Sequence, residues 1–245
     1  HIDGLSEDRR PVFAGGVAVM LAIFRALDID FMRISDGSLR EGVLHDLIGR
    51  VMYQDRRATT VTELMKRHHI DFKQAERVRD TTLSLFDQVA PEYALLPRER
   101  RLLGWAALLH EIGLMVAHSQ YHRHGAYLLE NMDLAGFSRQ EQVAIATIVR
   151  LHRKRYHPEM VEDSVYVRSG ALSLMIRLIR IAVLFNRGRV TIDLPPIRIT
   201  LAQGEDMSLE IGKTWLETHP LTTADLEQEA EVLNSVGYEL VLLPI

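Results

Sequence analysis

The sequence predicts a mainly α-helical protein that begins with a small α/β piece and ends with a small ββαβ module. From about residue 58 to 187, apolar residues recur three and four positions apart, which is the spacing of helices that bury one face. Beyond residue 190, apolar and polar residues alternate around a turn, as they do in a β-hairpin. These patterns predict three domains, residues 1–50, 51–189 and 190–245.

The first 50 residues have the pattern of the closing piece of an α/β domain. They predict a helix over 15–27, a strand over 31–35 and a second helix over 36–47. Gly15 and Gly16 stand where the first helix is expected to begin. Because backbone N–H groups at a helix start have no intrahelical partner, these glycines are candidates for holding phosphate, although a plain turn would also use them.

The centre of the chain predicts a helical bundle, and the tail predicts a hairpin, a helix and a strand. Helical spacing occurs over residues 60–69, 74–90, 99–118, 124–132, 138–154 and 170–187. In the tail, the segments "IRITLA" and "MSLEI" flank the turn "QGED", followed by the helical "TTADLEQEAEVLNSVG" and the strand-like "YELVLLP".

Composition narrows the possible classes of protein. The chain has no cysteine, which excludes disulfides and thiolate zinc ligands and leaves His, Asp and Glu as metal-ligand candidates. No apolar run approaches the roughly 20 residues of a membrane span, and no signal peptide is evident. We therefore expect a cytoplasmic protein, with peripheral association at the inner membrane face as an alternative. The first residue is His1, from which we expect a fragment of a longer protein.

Charge is unevenly distributed along the chain. The residues from Val190 onward carry a net charge of −8, and the first 189 residues carry +4. A basic body suits a polyanion. The candidate residues for such a surface are Arg123, His124, Arg150, His152, Arg153, Lys154 and Arg155. These residues form either a polyanion-binding surface or an ordinary solvated face.

The segment "AALLHEIGL" places His110 and Glu111 side by side in an apolar stretch. Its helix and two others resemble the ligand helices of an HD-domain phosphohydrolase, whose metal is held by a first His, a His-Asp pair and a later Asp. Here Gln74 stands at the first position, Glu111 replaces the paired Asp, and Val183 replaces the last Asp. Because two ligands hold a divalent metal poorly, we favour hydrogen-bonded core residues over a metal site at His110 and Glu111.

The chain as a whole resembles the C-terminal half of the exopolyphosphatase/guanosine pentaphosphate phosphatase (Ppx/GppA) family. The motifs that carry the resemblance are "GLSEDRRPVFAGGVAVMLAIFRAL", "MRISDGSLREGVLHDL", "LGWAALLHEIGLMVAHSQYHRHGAYLLEN" and "IVRLHRKR". The resemblance implies the end of an actin-like (ASKHA) lobe, an HD-like bundle and a small last domain. It also implies a homodimer through the helical domain and a catalytic lobe, with its Mg²⁺, that precedes this chain.

The resemblance implies an exopolyphosphatase that releases orthophosphate from inorganic polyphosphate, with a chain that binds the polymer but is inactive by itself. It places Arg9, and next Gly15 and Gly16, at the phosphate cleft. Three alternatives remain: a guanosine pentaphosphate phosphohydrolase, an active metal-dependent HD-type nucleotide phosphohydrolase, and a regulatory module that senses guanosine tetraphosphate. Nucleic acid is not an expected partner.

Overall fold

The computed structural model describes residues 5–32, 54–161, 166–190, 194–202 and 206–245. Contacts between residues divide the chain into two compact units, residues 1–51 and 52–245. The three domains drawn from the sequence, with boundaries after residues 50 and 189, stay predictions. The architecture is mainly helical, as the sequence predicts, with one small sheet near the C-terminus.

The described part of the first unit is a short 3₁₀ turn, Glu7–Arg9, followed by helix α1, Arg10–Ala26. Pro11 occupies the first turn, where its fixed φ favours helix and its missing N–H costs nothing. The prediction that Gly15 and Gly16 precede the helix is wrong, because both lie inside α1. Their N–H groups therefore have intrahelical partners and are not the free donors that phosphate binding would need. The predicted helix 36–47, and the predicted strand 31–35 beyond its first two residues, lie outside the described residues.

The second unit is built on a helical bundle. Its helices are α2 (Gln54–Arg67), α3 (Phe72–Val89), α4 (Pro97–Leu109), α5 (Tyr121–Asn131), α6 (Arg139–Leu151) and α7 (Ser169–Phe185). α3 packs against α4 and α7, and α6 packs against α4 and α5. Most residues of α7 are buried, which explains why apolar residues occur around most of its circumference.

Two helices end earlier than their apolar pattern predicts. α4 stops at Leu109 and a 3₁₀ turn follows over Ile112–Met115, so the predicted helix 99–118 is broken at its centre. Gly113 lies in that turn, and a Cβ atom there would come within 2.0 Å of the Tyr121 carbonyl oxygen. Only glycine permits this close approach to α5. α6 likewise ends at Leu151, so residues 152–155 form a loop.

The C-terminal module contains strands β1 (Arg198–Leu201), β2 (Met207–Ile211) and β3 (Leu240–Pro244), with helices α8 (Lys213–Thr218) and α9 (Pro220–Asn234) between β2 and β3. β1 and β2 pair antiparallel, as the hairpin pattern predicts, and β3 pairs parallel to β2. The short helix α8 was not predicted. β1 packs on α3 and α9 packs on α7, so the apolar core continues from the bundle into the module.

Across the residues described, no helix is both long and apolar enough to cross a membrane.

Candidate functional site

Five segments of the bundle and helix α9 line a cavity of about 710 Å³ in the second unit: α3, the turn after α4, the start of α5, the loop after α6, and α7 with the residues that follow it. All four positions that resemble HD-domain ligands line it: Gln74 at the start of α3, His110 and Glu111 just after α4, and Val183 in α7. Residues separated by more than 100 positions in sequence thus meet at one place. The four positions that the sequence resemblance singles out therefore line the same cavity.

The side chains at these positions do not fit a metal ion. One Glu111 oxygen accepts a hydrogen bond from Arg189, whose cation stands beside the carboxylate. The Gln74 amide donates to the Asn186 carbonyl at 2.7 Å, and its oxygen accepts from Arg77 at 2.7 Å. Among the described residues no group of three or more His, Cys, Asp or Glu side chains could hold a metal ion. A divalent ion needs more donors than this set supplies.

His110 and His152 occupy equivalent positions and form equivalent hydrogen bonds. Each caps the C-terminus of its helix, α4 or α6, and each places Nδ1 2.7 Å from a backbone carbonyl oxygen three residues earlier. A carbonyl oxygen only accepts, so Nδ1 carries the proton in both rings. In a neutral ring Nε2 is then a lone-pair acceptor, and both residues line the cavity.

Burial keeps these two rings neutral. Desolvation lowers the pKa of His110, and it lowers the pKa of His152 well below its usual range, with the neighbouring His110 adding to the effect. The rings meet edge to face, with centroids 5.4 Å apart. The prediction that His110 is a hydrogen-bonded core residue is confirmed. For Glu111 the same prediction is confirmed only in part: its Oε1 atom accepts a hydrogen bond from Arg189, but its Oε2 atom is buried without a hydrogen-bond partner.

A cluster of positive charge surrounds His122, which lies buried in α5. Desolvation and four nearby cations lower its pKa to about 4, and its Nδ1 atom is buried without a hydrogen-bond partner. The cations are Arg153, Arg150, Arg123 and Lys154. Desolvation and Arg123 also lower the pKa of Arg150. Four of the basic residues predicted from the sequence are therefore close together, and we call them the His122 cluster.

The remaining predicted residues are distributed differently. Arg155 lines the cavity with Arg153 and Lys154, and His124 is half-buried on α5 without lining it. The prediction that His152 belongs to a basic surface is wrong, because the α6 C-cap position buries its ring, leaving it 1% exposed. In the first unit, Arg9 is the exposed N-cap residue of α1, and the exposed Gly15 and Gly16 lie one to two turns further along that helix.

Sequence reasoning did not find the pair that fixes the loop after α6. Arg180, buried in α7, contacts both oxygens of Glu229 in α9, with 2.8 Å between Nη2 and Oε2. It also donates to the carbonyl oxygens of Leu151 and Lys154 at 2.7 and 2.6 Å. These bonds hold the 152–155 loop against the cavity. An arginine in an apolar helix was the one available signal, since its partner lies 49 positions away.

Comparisons with known proteins match the family that the sequence motifs resemble. A family model described as "Ppx/GppA phosphatase, domain III" matches residues 56–230, and one described as "Ppx/GppA phosphatase family" matches residues 1–51. A relative from Pseudoalteromonas translucida (strain TAC 125) is 36% identical over 98% of this chain and 48% of its own length. Relatives from Vibrio campbellii and Aeromonas hydrophila are each 34% identical over 99% of this chain, and over 48% and 49% of their own lengths.

These three relatives bear the name guanosine-5'-triphosphate,3'-diphosphate pyrophosphatase. The chain spans about half the length of the curated relatives it matches.

Proposed function

The chain belongs to the Ppx/GppA phosphatase family, and we propose that the protein containing it removes the terminal 5'-phosphate of guanosine pentaphosphate. Water would attack the terminal phosphorus and the phosphoanhydride bond would break, leaving guanosine tetraphosphate and orthophosphate. The observation that carries the proposal is the identity of 33–36% to relatives named for this substrate, over nearly the whole chain. The family resemblance of the sequence favours polyphosphate, whereas the names of these relatives favour the alternative substrate, guanosine pentaphosphate.

Long inorganic polyphosphate is the second candidate substrate, and the His122 cluster favours it. Four cations lie near one buried, neutral histidine, and among the described residues none of the four is ion-paired with a carboxylate. Guanidinium and ammonium groups bind phosphate oxygens strongly, and a polymer with a charge on every phosphate would use several at once. The proposed contribution of this chain is therefore to bind the anionic substrate.

The catalytic step is proposed to lie in the part of the protein that the family resemblance places before this chain. That lobe would carry the Mg²⁺, the catalytic glutamate and the phosphate-binding loops. Arg9 would face its phosphate cleft, and the helical domain would form the homodimer. The actin-like and HD-like descent of the two units is part of the same proposal.

Phosphate release from the protein that contains this chain tests the substrate. We expect a higher kcat/KM for guanosine pentaphosphate than for long-chain polyphosphate, and no release by the 245-residue chain alone. A tenfold preference for polyphosphate would replace the first candidate by the second. Turnover by the 245-residue chain alone would contradict the proposed division between catalysis and binding.

A further inference from the structure

The loop after α6 carries its basic residues on a backbone that is strained at one position. Residues 152–155 connect the buried Leu151, at the end of α6, to the buried Tyr156. Within this loop Lys154 has a φ of 64°, in the left-handed region that is unfavourable for residues other than glycine. A lysine keeps such a conformation only where the surrounding structure enforces it, and such residues concentrate at functional sites.

Arg180, in α7, supplies the contacts that enforce this conformation. Its Nη2 group donates to the Lys154 carbonyl oxygen at 2.6 Å, and its Nη1 group donates to the Leu151 carbonyl oxygen at 2.7 Å. Two further bonds, from Nε and Nη2, go to the two oxygens of Glu229. Because a guanidinium has only five N–H donors, these four bonds leave Arg180 little capacity to bind a ligand. Its role is to hold the loop.

Glu229 fixes the direction in which Arg180 points. The two side chains are 9% and 1% exposed, so water does not compete for their bonds. A carboxylate that binds a guanidinium through two oxygens also sets the plane of that group. The opposite edge of Arg180 is thereby directed at the two loop carbonyls. Since Glu229 lies in α9, the conformation of the loop depends on the C-terminal module.

The side chain of Arg153 is held in place as well. The central carbon of its guanidinium lies 4.5 Å from the centre of the Tyr121 ring, a distance that allows cation–π attraction. The Tyr121 hydroxyl in turn lies 3.4 Å from Nε2 of His152, which accepts because Nδ1 carries the proton. The loop is therefore ordered before any ligand arrives, which reduces the entropy that binding has to remove.

We propose that Arg180 and Glu229 are positioning residues for anion binding: they hold the 152–155 loop in the conformation that presents Arg153 and Lys154 to an anionic substrate. The inference rests on the proposed binding of that substrate by the His122 cluster, to which both cations belong. It adds that a carboxylate of the C-terminal module sets the affinity of a surface formed by the bundle. Without this pair the Lys154 backbone would relax, and the two cations would no longer be directed together at the anion.

The double variant Arg180→Met/Glu229→Met separates positioning from stability. Replacing a buried ion pair by apolar side chains of similar size is often neutral for stability, whereas removing one partner is strongly destabilising. The double variant keeps the net charge of the chain but has no donor for the Leu151 and Lys154 carbonyls. Arg139→Met/Glu130→Met is the matched control, because it makes the same substitutions at an exposed ion pair elsewhere.

Two measurements on the folded 245-residue chain follow the loop and its binding. Trypsin cleaves after Arg and Lys, so its rate of cleavage within residues 153–155, identified by mass spectrometry, reports whether the loop is held. We expect cleavage there to be at least tenfold faster in Arg180→Met/Glu229→Met than in the parent chain. Binding of long-chain polyphosphate at low salt should be at least fivefold weaker, with the salt slope reduced by about 1. The control variant should match the parent chain in both measurements.

Unchanged cleavage, or faster cleavage with unchanged affinity, would overturn the proposal. If the double variant does not fold, Arg180→Lys decides by the same two measurements: it keeps a charge beside Glu229, but one ammonium cannot reproduce the bonds of a guanidinium to that carboxylate and to two carbonyls. Absence of polyphosphate binding by the parent chain would contradict the proposed binding function instead. The cleavage rate alone would then decide whether Arg180 and Glu229 hold the loop.

Discussion

The rings of His110 and His152 meet edge to face at a centroid distance of 5.4 Å, and each donates its Nδ1 proton to the carbonyl three residues before it. The two residues cap the ends of α4 and α6. A capping histidine at a helix C-terminus is usually favourable when charged, because of the helix dipole. Here the desolvation of the buried rings outweighs the helix dipole, so the pKa of each histidine is lowered and both rings stay neutral.

The neutral histidine pair predicts a loss of stability in mild acid. The folded pKa of His152 and of His110 lies below the usual 6.5 of an unfolded chain. Below about pH 6.5 the histidines of the unfolded state therefore take up protons, whereas those of the folded state stay neutral. The free energy of unfolding consequently falls as the pH falls. The slope is up to about 1.4 kcal/mol per pH unit for each histidine.

Urea unfolding between pH 7.5 and 5 measures this slope. His152→Asn keeps a donor for the Val149 carbonyl but does not titrate, so we expect a shallower decline in that variant. An identical pH dependence in the variant and the parent chain would show that His152 is not held neutral.

Gly113 predicts a large effect from the smallest possible substitution. A Cβ atom there would lie 2.0 Å from the Tyr121 carbonyl oxygen and 2.4 Å from the Gly125 nitrogen, both of them backbone atoms. We expect Gly113→Ala to lower the free energy of unfolding by about 3 kcal/mol or more. Gly104→Ala is the matched control: its nearest contact would be 3.6 Å, and alanine favours helix by about 1 kcal/mol. Equal stability of the two variants would contradict the tight approach at Gly113.

The two ion pairs of α9 are predicted to differ in strength. Glu229→Ala leaves the charge of Arg180 buried, for which we expect a loss of about 3–5 kcal/mol in the free energy of unfolding. Asp225→Ala removes the partner of Arg187, whose side chain is 67% exposed, and should cost no more than about 1 kcal/mol. Chemical denaturation of both variants provides the comparison. A small loss for Glu229→Ala would mean that Arg180 finds water or another partner.

The absence of a fitting donor set at His110 and Glu111 predicts that metal ions do not stabilise the chain. We expect the same Tm with EDTA as with Mn²⁺ or Zn²⁺, and no stoichiometric metal in the purified chain, because a bound ion would stabilise the folded state. A rise in Tm with metal that His110→Asn abolishes would restore the metal-dependent alternative.

The His122 cluster predicts a salt-dependent affinity for polyphosphate. Arg123→Ala/Arg150→Ala should weaken binding and reduce the dependence of the logarithm of affinity on the logarithm of salt concentration by about 1–2. Arg139→Ala, on the same helix as Arg150 but beside Glu130, should leave that slope unchanged. Binding measured by competition at several salt concentrations distinguishes them, and equal slopes for all three proteins would argue against the cluster as the binding surface.

The helical class, the helix segments and the hairpin were predictable because they depend on spacings of two, three and four residues, which are local properties of the sequence. The ends of α4 and α6 were not, because the apolar pattern continues past them. Gly113 sets the turn after α4 only through its contact with Tyr121, which belongs to another helix. The same limit misplaced the start of α1, since the glycines that suggested a boundary lie inside it.

By itself the sequence determined that Val183 cannot coordinate a metal ion and that His110 and Glu111 alone would hold one poorly, because both statements follow from the chemistry of the side chains. Only the tertiary structure decided which partners the side chains around the cavity have: Arg189 pairs with Glu111 across 78 residues, and Arg180 binds both Glu229 and the Lys154 carbonyl of the 152–155 loop. Such partners are chosen by the packing of α3, α7 and α9 around one cavity. No short-range pattern in the sequence records which charges that packing brings together.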